Sequence, residues 1–258
     1  MSNLKLKDRI NSYQQATDYK LLNRVPIIIS INGRAFSKLT SLLEKPHDPK
    51  FSECILSTMM KCCTEIEGAL FAYQNNDEIM VVVRNDQNNE SMPWFENRIQ
   101  KICSATASIA TLHFNNCANA IDLNLMGEPT FTSQIFAVPT IAEAINAIVY
   151  KQQQNFYTSI SNACFYELLN KYNKDTIKDM LNGLSSDEKI DLLNQECNID
   201  FNNYPSTFKR GAACYRAPKI VDGVMKNKWI VNQDLPIFSR DASFLSNLFR
   251  MGSDIYRV

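Results

Sequence analysis

Apolar positions follow two different periods along the chain, and they predict alternating strands and helices. The continuous run VPIIISI at residues 25–31 is typical of a strand buried on both faces. Between residues 51 and 66, apolar side chains recur at steps of three and four, which predicts a helix with one buried side. The runs ALFAY and IMVVV flank the polar segment QNNDE, and this pattern predicts a β-hairpin with a polar tip.

Further helices and strands are predicted beyond the hairpin. Residues 94–114 predict a helix whose apolar side begins at Phe95, and FTSQIFAV at residues 131–138 is typical of a strand. Thr140 and Glu143 have the spacing of a capping box, so a long helix is expected to begin there. Ser185 and Glu188 repeat that spacing and predict another helix start.

The end of the chain predicts two strands and a helix. GAACYRA and KWIVNQ are expected to pair as late strands, and RDASFLSNLFR predicts a final helix capped by Asp241.

The resulting order is β-α-β-β-α-β, which is the order of a ferredoxin-like unit or a polymerase palm. The expected class is therefore α+β, with one palm-type domain over residues 1–258 and an accessory C-terminal part of helices and strands from about residue 140. In this layout the end of the first strand faces the hairpin tip. Asn32 and Asp77 are far apart in sequence but are expected to converge.

Composition narrows the class of protein. Lys and Arg total 27, equal to Asp and Glu, which excludes a general nucleic-acid-binding coat but not a local basic groove. The chain has 8 cysteines and 2 histidines without a C-x-x-C pair, which argues against a structural zinc site. No signal-type apolar stretch and no apolar run of membrane-spanning length occur. A cytoplasmic protein without membrane association is therefore expected.

The hairpin tip contains Asn75, Asn76, Asp77 and Glu78. Asn and Asp are ordinary turn residues because their side chains bond nearby backbone groups, so this stretch alone favours a structural turn. Two acidic residues that face a strand-end loop favour a second interpretation, because carboxylates hold the divalent ions that assist phosphoryl transfer. Both interpretations stay open at this point.

Two other segments carry candidate phosphate ligands. In GRAFSK, Gly33 permits a close backbone approach and successive amides are able to face an anion, whereas Phe36 fits a core position better than a base-stacking one. Lys45 and Asp48 lie in a proline-stiffened connection that is otherwise a solvated loop.

Two basic pairs have the same ambiguity. Arg98 and Lys101 are one helical step apart, so they form either a solvated face or a pair of triphosphate contacts. Lys209 and Arg210 form a small basic patch that is equally consistent with ordinary surface charge.

Taken together, these segments resemble the tRNA(His) guanylyltransferase family, especially its bacterial and archaeal "like" branch. The resemblance rests on SINGRAFSKLT, KPHD, YQNNDEI and the Arg98–Lys101 step, and it continues through FAVPT, KRGAACYR and DLPIFS in the family order. It covers nearly the whole chain. It implies a polymerase-like palm that adds nucleotides to the 5′ end of RNA in the 3′–5′ direction, with tRNA as the expected partner.

The resemblance also implies a site. Two Mg²⁺ ions would be held by Asn32, Gly33 and Asp77, with Asp77, Glu78 and Asn32 as catalytic residues and GTP or ATP as substrate. The implied nucleotide-binding residues are Gly33, Arg34, Ala35, Phe36, Ser37, Lys45, Asp48, Asn76, Arg98 and Lys101. Family precedent further implies a homotetramer built as a dimer of dimers.

Several positions depart from the family pattern. Asn32 stands where the pattern has a metal-bridging aspartate, and Asn76 stands where it has a hydroxyl residue. FTSQ and KQQQNFYTS replace charged family segments, which fits natural divergence. Two alternatives to 5′-end nucleotide addition therefore stay open. One is a catalytically impaired triphosphate- or tRNA-binding homologue, and the other is a palm-type enzyme that makes a different nucleotide product.

Overall fold

The computed structural model describes residues 5–86, 92–221 and 224–250, and its centre is a six-stranded sheet. The strands are β1 (Ile27–Gly33), β2 (Ala69–Asn75), β3 (Glu78–Val83), β4 (Phe131–Ala137), β5 (Ala212–Val221) and β6 (Val224–Asn232). Their order is β4-β1-β3-β2-β5-β6, and every neighbouring pair is antiparallel. The first four strands have the predicted ferredoxin-like order, and the late hairpin β5–β6 extends the same sheet beyond β2.

The helices lie on the two faces of this sheet and beyond its end. They are α1 (Leu6–Gln15), α2 (Phe36–Leu39), α3 (Pro49–Glu65), α4 (Ile99–Ala120), α5 (Ile141–Leu168), α6 (Lys174–Leu181), α7 (Ser186–Cys197), α8 (Ser206–Arg210) and α9 (Ala242–Arg250). Among the described residues, no helix combines the length and apolar character that a bilayer crossing requires.

Alternating side chains of β1 pack into two separate cores, as the period of a strand requires. Ile29 and Ile31 pack with α3 and α4 in one core, which also contains Phe36 and Phe114. Ile28 packs in the other core, which is formed on the opposite face by α5, α9 and the segment after β6. A strand that is buried on both faces explains the continuous apolar run in its sequence.

The predicted helix starts are confirmed. The side chain of Thr140 accepts a hydrogen bond from the Glu143 amide at the start of α5. Ser185 and Glu188 form a reciprocal capping box at the start of α7. Beyond the sheet, a third apolar cluster joins the later part of α5 to α6 and α7.

The prediction of a continuous helix from residue 94 is wrong at its start. Residues 94–97 form a 3₁₀ turn in which Phe95, Glu96 and Asn97 have positive φ angles, so α4 begins only at Ile99. Phe95 is exposed and does not belong to the apolar side of the helix. Tertiary contacts override the helical pattern here, because the buried Asn97 side chain donates hydrogen bonds to Leu22 O and to an Asn23 oxygen.

Candidate functional site

The strand end and the hairpin tip meet at one edge of the sheet. The Gly33 amide donates a 3.0 Å hydrogen bond to the Asp77 carbonyl, and Asn32 lies opposite Glu78 in the β1–β3 register. A Cβ atom on Gly33 would lie 2.7 Å from Oδ2 of Asp77. The glycine therefore lets the carboxylate lie directly against the backbone of the strand end.

The hairpin turn itself directs Asp77. Asn76 adopts the left-handed conformation (φ 49°), which Asn tolerates better than most residues. The side-chain amide of Gln74 donates a 2.7 Å hydrogen bond to the Asn76 carbonyl and supports this conformation. The turn chemistry predicted for the tip is therefore real, and it coexists with a carboxylate placed against the neighbouring strand end.

A cleft of about 230 Å³ opens beside Asp77. Ser37 and Asn76 line it close to the hairpin, and Lys45, Asp48 and Tyr166 line it further out. The ammonium of Lys45 donates a 3.2 Å hydrogen bond to Thr40 Oγ1 and lies 5.6 Å from the centre of the Tyr166 ring. The cleft is thus lined by both a carboxylate and an ammonium group.

Burial perturbs the charged groups of this cleft. It raises the pKa of Asp77, and the neighbouring Glu78 charge raises it further, against a backbone hydrogen bond that lowers it. Burial lowers the pKa of Lys45, while Asp48 opposes that shift. Within the described residues, the Asp77 carboxylate has no ion-pair partner. A partly desolvated carboxylate of this kind favours the binding of a cation.

Glu78 lies in a different environment, on the face of the sheet that packs against α5. Its carboxylate accepts a 2.7 Å hydrogen bond from Ser30 Oγ and lies 2.8 Å from Nζ of Lys151. The amide nitrogen of Asn32 donates to Ser30 Oγ at 3.2 Å. Asp77 and Glu78 are adjacent in sequence, yet one is open towards the cleft and the other is paired.

Some backbone amides of the predicted phosphate cradle are used within the protein. The Gly33 and Arg34 amides donate to the carbonyls of Asp77 and Thr130, so they are not available to an anion. In the described chain, the amides of Ala35, Phe36 and Ser37 make no hydrogen bond to a protein acceptor. Ala35 is left-handed (φ 57°) and is the N-cap of the short helix α2.

Two predicted nucleotide-binding side chains have structural partners. Phe36 is buried, with its ring centroid 5.5 Å from Phe114 and 5.1 Å from Phe131, which agrees with the core interpretation. Asp48 caps α3 by accepting a 2.8 Å hydrogen bond from the Phe51 amide, although it also lines the cleft.

The structure does not bring Arg98 and Lys101 to this edge of the sheet. They lie at the start of α4, which packs beside Ile27 where β1 begins, whereas the site lies where β1 ends. At about 3.3 Å per residue, the seven residues of β1 separate the two ends by roughly 20 Å. Arg98 lies 3.4 Å from carboxylates of Asp18 and Glu96. Within one chain, Arg98 therefore lies away from Asp77, and its implied role in nucleotide binding stays a prediction.

The side chains of the late basic patch, Lys209 and Arg210, form hydrogen bonds within the protein. Arg210 donates hydrogen bonds to the Leu235 carbonyl and to Ser206 Oγ, and Lys209 donates to the Asn202 carbonyl. These contacts fix the loop between α7 and β5.

Lys151 and Ser30 belong to none of the sequence motifs of the site. Ala144 and Ile148 lie on the buried side of α5, and Lys151 follows at the next helical step of that side. A lysine on an apolar helical stripe requires an acidic partner, and this was a detectable signal. The identity of that partner depends on how α5 crosses the sheet, which the pattern does not contain.

A ferredoxin-like palm with a carboxylate at the hairpin tip and a lysine-lined cleft defines a palm-type protein with a candidate triphosphate site. Residues 7–139 match the sequence model of tRNAHis guanylyltransferase, and residues 146–236 match that of the Thg1 C terminal domain. The chain belongs to the tRNAHis guanylyltransferase family, a family of nucleotidyltransferases. The resemblance found in the sequence motifs is confirmed.

Individual relatives agree with this assignment. A probable tRNA(His) guanylyltransferase of Dictyostelium discoideum is 28% identical over 204 residues, which is 77% of this chain and 78% of that protein. A bacterial guanylyltransferase-like protein solved in complex with ATP has a TM-score of 0.83 and 27% identity, covering 95% of this chain and 98% of its own. A bacterial protein of the same description, solved in complex with GTP, has a TM-score of 0.76 and 26% identity, covering 98% and 99%.

Proposed function

We propose that the chain adds nucleotides to the 5′ end of RNA, with tRNA as substrate, in the 3′–5′ direction. The observation that carries this proposal is the Asp77 carboxylate, which is partly buried, has no described ion-pair partner and lies against Gly33 in the cleft that contains Lys45. Such a carboxylate suits a metal-bound triphosphate rather than a structural turn. Family membership provides the reaction class.

The residues at the sheet edge fit Mg²⁺. Because Gly33 has no Cβ, the Asp77 carboxylate lies directly against the strand end that carries the Gly33 carbonyl. Asp77, the Gly33 carbonyl and the Asn32 amide oxygen would hold it, and all three are the hard oxygen donors that Mg²⁺ prefers. A bound divalent ion would neutralise charge that develops on the reacting phosphate. The family implies two such ions, and the donors of this edge suit the one at Asp77.

The other residues of the cleft would bind and orient the triphosphate. Lys45 would contact a phosphate as a point charge, and its lowered pKa reflects burial that strengthens such a contact. The free amides of Ala35, Phe36 and Ser37 would donate to phosphate oxygens, and the exposed Arg34 and Asn76 would border the same ligand. GTP and ATP are the candidate triphosphates, since bacterial relatives were solved with each.

We propose that the protein works in the cytoplasm as a tetramer built from two dimers. Exposed apolar side chains support an assembly, because Leu6 and Ile10 on α1 and Ile220 and Met225 on the β5–β6 hairpin lie on the surface of one chain. The free cysteines, most of which are buried, suit a reducing compartment. In a tetramer, Arg98 and Lys101 of one protomer would reach the triphosphate of another.

Incubation with labelled GTP or ATP, Mg²⁺ and a tRNA that lacks its 5′ nucleotide tests the proposal. We expect 5′ extension of the RNA by the natural chain and its loss in Asp77→Ala. Triphosphate binding without extension would favour a binding homologue, and a labelled product formed without RNA would favour a different nucleotide reaction. Either result would overturn 5′-end addition.

A further inference from the structure

The α5 side of the site contains an ion pair that none of the sequence motifs predicts. Lys151 Nζ lies 2.8 Å from the Glu78 carboxylate, and the two side chains are only 30% and 19% exposed. Ser30 donates a 2.7 Å hydrogen bond to the same carboxylate, and Asn32 donates to Ser30. The four residues form a continuous network at the sheet edge, on the opposite side of β1 and β3 from the cleft.

The charges at this edge do not suit two divalent ions. Asp77 and Glu78 bring two negative charges, Asn32 brings none, and Lys151 cancels the charge of Glu78. Asp77 is thus the only carboxylate at the edge, among the described residues, that is open to an ion. Two metal ions in one site are normally held by several carboxylates, since each ion brings two positive charges.

The position of the ammonium is also informative. Asn32 and Glu78 are register partners on the same face, and Nζ of Lys151 is paired with the Glu78 carboxylate on that face. A partly buried pair of this kind is held tightly, because removal of one partner leaves the other desolvated without compensation.

We propose that Lys151 is a resident cation, meaning a positive charge of the protein itself that permanently neutralises Glu78. Its ammonium neutralises the Glu78 carboxylate and leaves it unable to hold a second divalent ion, so the chain binds one ion, at Asp77, with each triphosphate. This inference rests on the proposed function, because it concerns the same triphosphate site. Lys151 is a positioning residue in this arrangement: it holds Glu78, and Ser30 links Glu78 to the Asn32 amide.

The test counts metal ions and does not need turnover. Mn²⁺ binding is measured by electron paramagnetic resonance of free Mn²⁺, at equal concentrations of full-length protein and a non-hydrolysable triphosphate. We expect about one Mn²⁺ per chain for the natural protein and about two for Lys151→Met, which frees the Glu78 carboxylate. Lys178→Met is the matched control, since Lys178 is an exposed lysine of α6 paired with Asp175, and we expect about one ion.

A second readout covers a variant that folds poorly. Without nucleotide, we expect Lys151→Met to have a lower Tm than the natural protein and to regain more of it on addition of Mg²⁺, because the ion replaces the lost ammonium. Lys151→Gln, which keeps a polar side chain, serves the same purpose if the methionine variant does not accumulate.

The outcomes separate this inference from the proposed function. Two ions in the natural protein, or one ion in both lysine-151 variants, would overturn the role of Lys151 while leaving 5′-end addition intact. No metal-dependent triphosphate binding in any variant would remove the proposed function and this inference together. One ion in the natural protein and two in Lys151→Met supports the resident cation.

Discussion

Some residues of the site lower the stability of the folded, metal-free protein, and Asp77 is the clearest case. Burial raises its pKa, and no described residue forms an ion pair with it. A carboxyl group whose pKa is raised on folding contributes stability that is fully present below the unfolded pKa and is lost as the pH rises through the folded pKa. Asp77 is therefore expected to destabilise the metal-free protein at neutral pH.

The first prediction follows from that sign. Asp77→Asn should raise the Tm of the metal-free protein at pH 7 and have little effect near pH 3, where the carboxyl group is protonated in both states. Calorimetry without divalent ions across this pH range measures the difference. Asp191→Asn, at an exposed position of α7, is the control and should leave the Tm unchanged. A lower Tm of the Asp77 variant at pH 7 would contradict the assigned environment.

Asn32 leads to a second prediction at the same scale. Asn32→Asp adds a carboxylate opposite Glu78, next to the backbone of Gly33. We expect the Mg²⁺ concentration for half-maximal 5′ extension to fall by about tenfold or more, because Mg²⁺ prefers carboxylates to amides. Extension assays across a Mg²⁺ titration test this.

Asn76→Asp provides the matched control for that experiment. It adds the same charge at the hairpin tip, at a position that is an implied nucleotide neighbour but not an implied metal ligand. If both variants lower the required Mg²⁺ concentration equally, the added negative charge near the site would explain the effect, and direct ligation by residue 32 would not be needed. A faster natural Asn32 form would contradict the proposed metal site.

At the level of elements, the site depends on how closely β1, α2 and the β2–β3 turn approach one another. A Cβ on Gly33 would lie 2.4 Å from the Phe36 ring and 2.7 Å from Asp77 Oδ2, so a larger residue must displace one of them. The Phe36 ring is fixed by its aromatic neighbours in the core. Asp77, on a turn, is the group that is more able to move.

Gly33→Ala is therefore expected to reduce metal-dependent triphosphate binding by about tenfold or more, the equivalent of roughly 1.4 kcal/mol. Calorimetric titration with a non-hydrolysable triphosphate measures it. Gly183→Ala is the control, since Gly183 has a positive φ angle (78°) but no atom within 4 Å of an added Cβ. We expect that variant to lose about 1 kcal/mol of stability and to keep its affinity. Unchanged binding by Gly33→Ala would refute the close approach as a requirement.

At the scale of the whole molecule, the residues that the family resemblance implies for nucleotide binding fall into two sets at opposite ends of β1. Asp77 and Lys45 lie at the edge where β1 ends, and Arg98 and Lys101 lie where it begins. A single chain therefore cannot bring all of them to one triphosphate, which is why the proposed assembly matters for the site.

The prediction at this scale joins assembly to binding. Light scattering should give the mass of a tetramer, and Arg98→Ala should weaken triphosphate binding by about 1.5–3 kcal/mol, the range for a charge-assisted contact. Co-assembly of Arg98→Ala with Asp77→Ala protomers should then restore part of the extension activity that neither variant has alone. A monomer, or unchanged affinity of Arg98→Ala, would assign Arg98 only to its ion pairs with Asp18 and Glu96.

Periodicity and turn chemistry were sufficient to predict most of the architecture. The apolar run of β1, the hairpin around Asn76 and the capping residues Thr140 and Ser185 are local signals, and each specifies its element without distant contacts. The β-α-β-β-α-β order then restricts the topology to a ferredoxin-like sheet, which brings the ends of β1 and β2 together. The meeting of Gly33 with Asp77 follows from that order.

Long-range packing determined the features that these local signals lack. The start of α4 depends on the contacts of Asn97 with the segment before β1, and those contacts outweigh a favourable helical pattern. The pairing of Lys151 with Glu78 joins residues 73 positions apart, and it depends on the path of α5 across the sheet. The charge of a site is the sum over groups that converge from distant segments. The chain's motifs therefore identified where the site lies, whereas the folded chain determined which of its carboxylates is open to a cation.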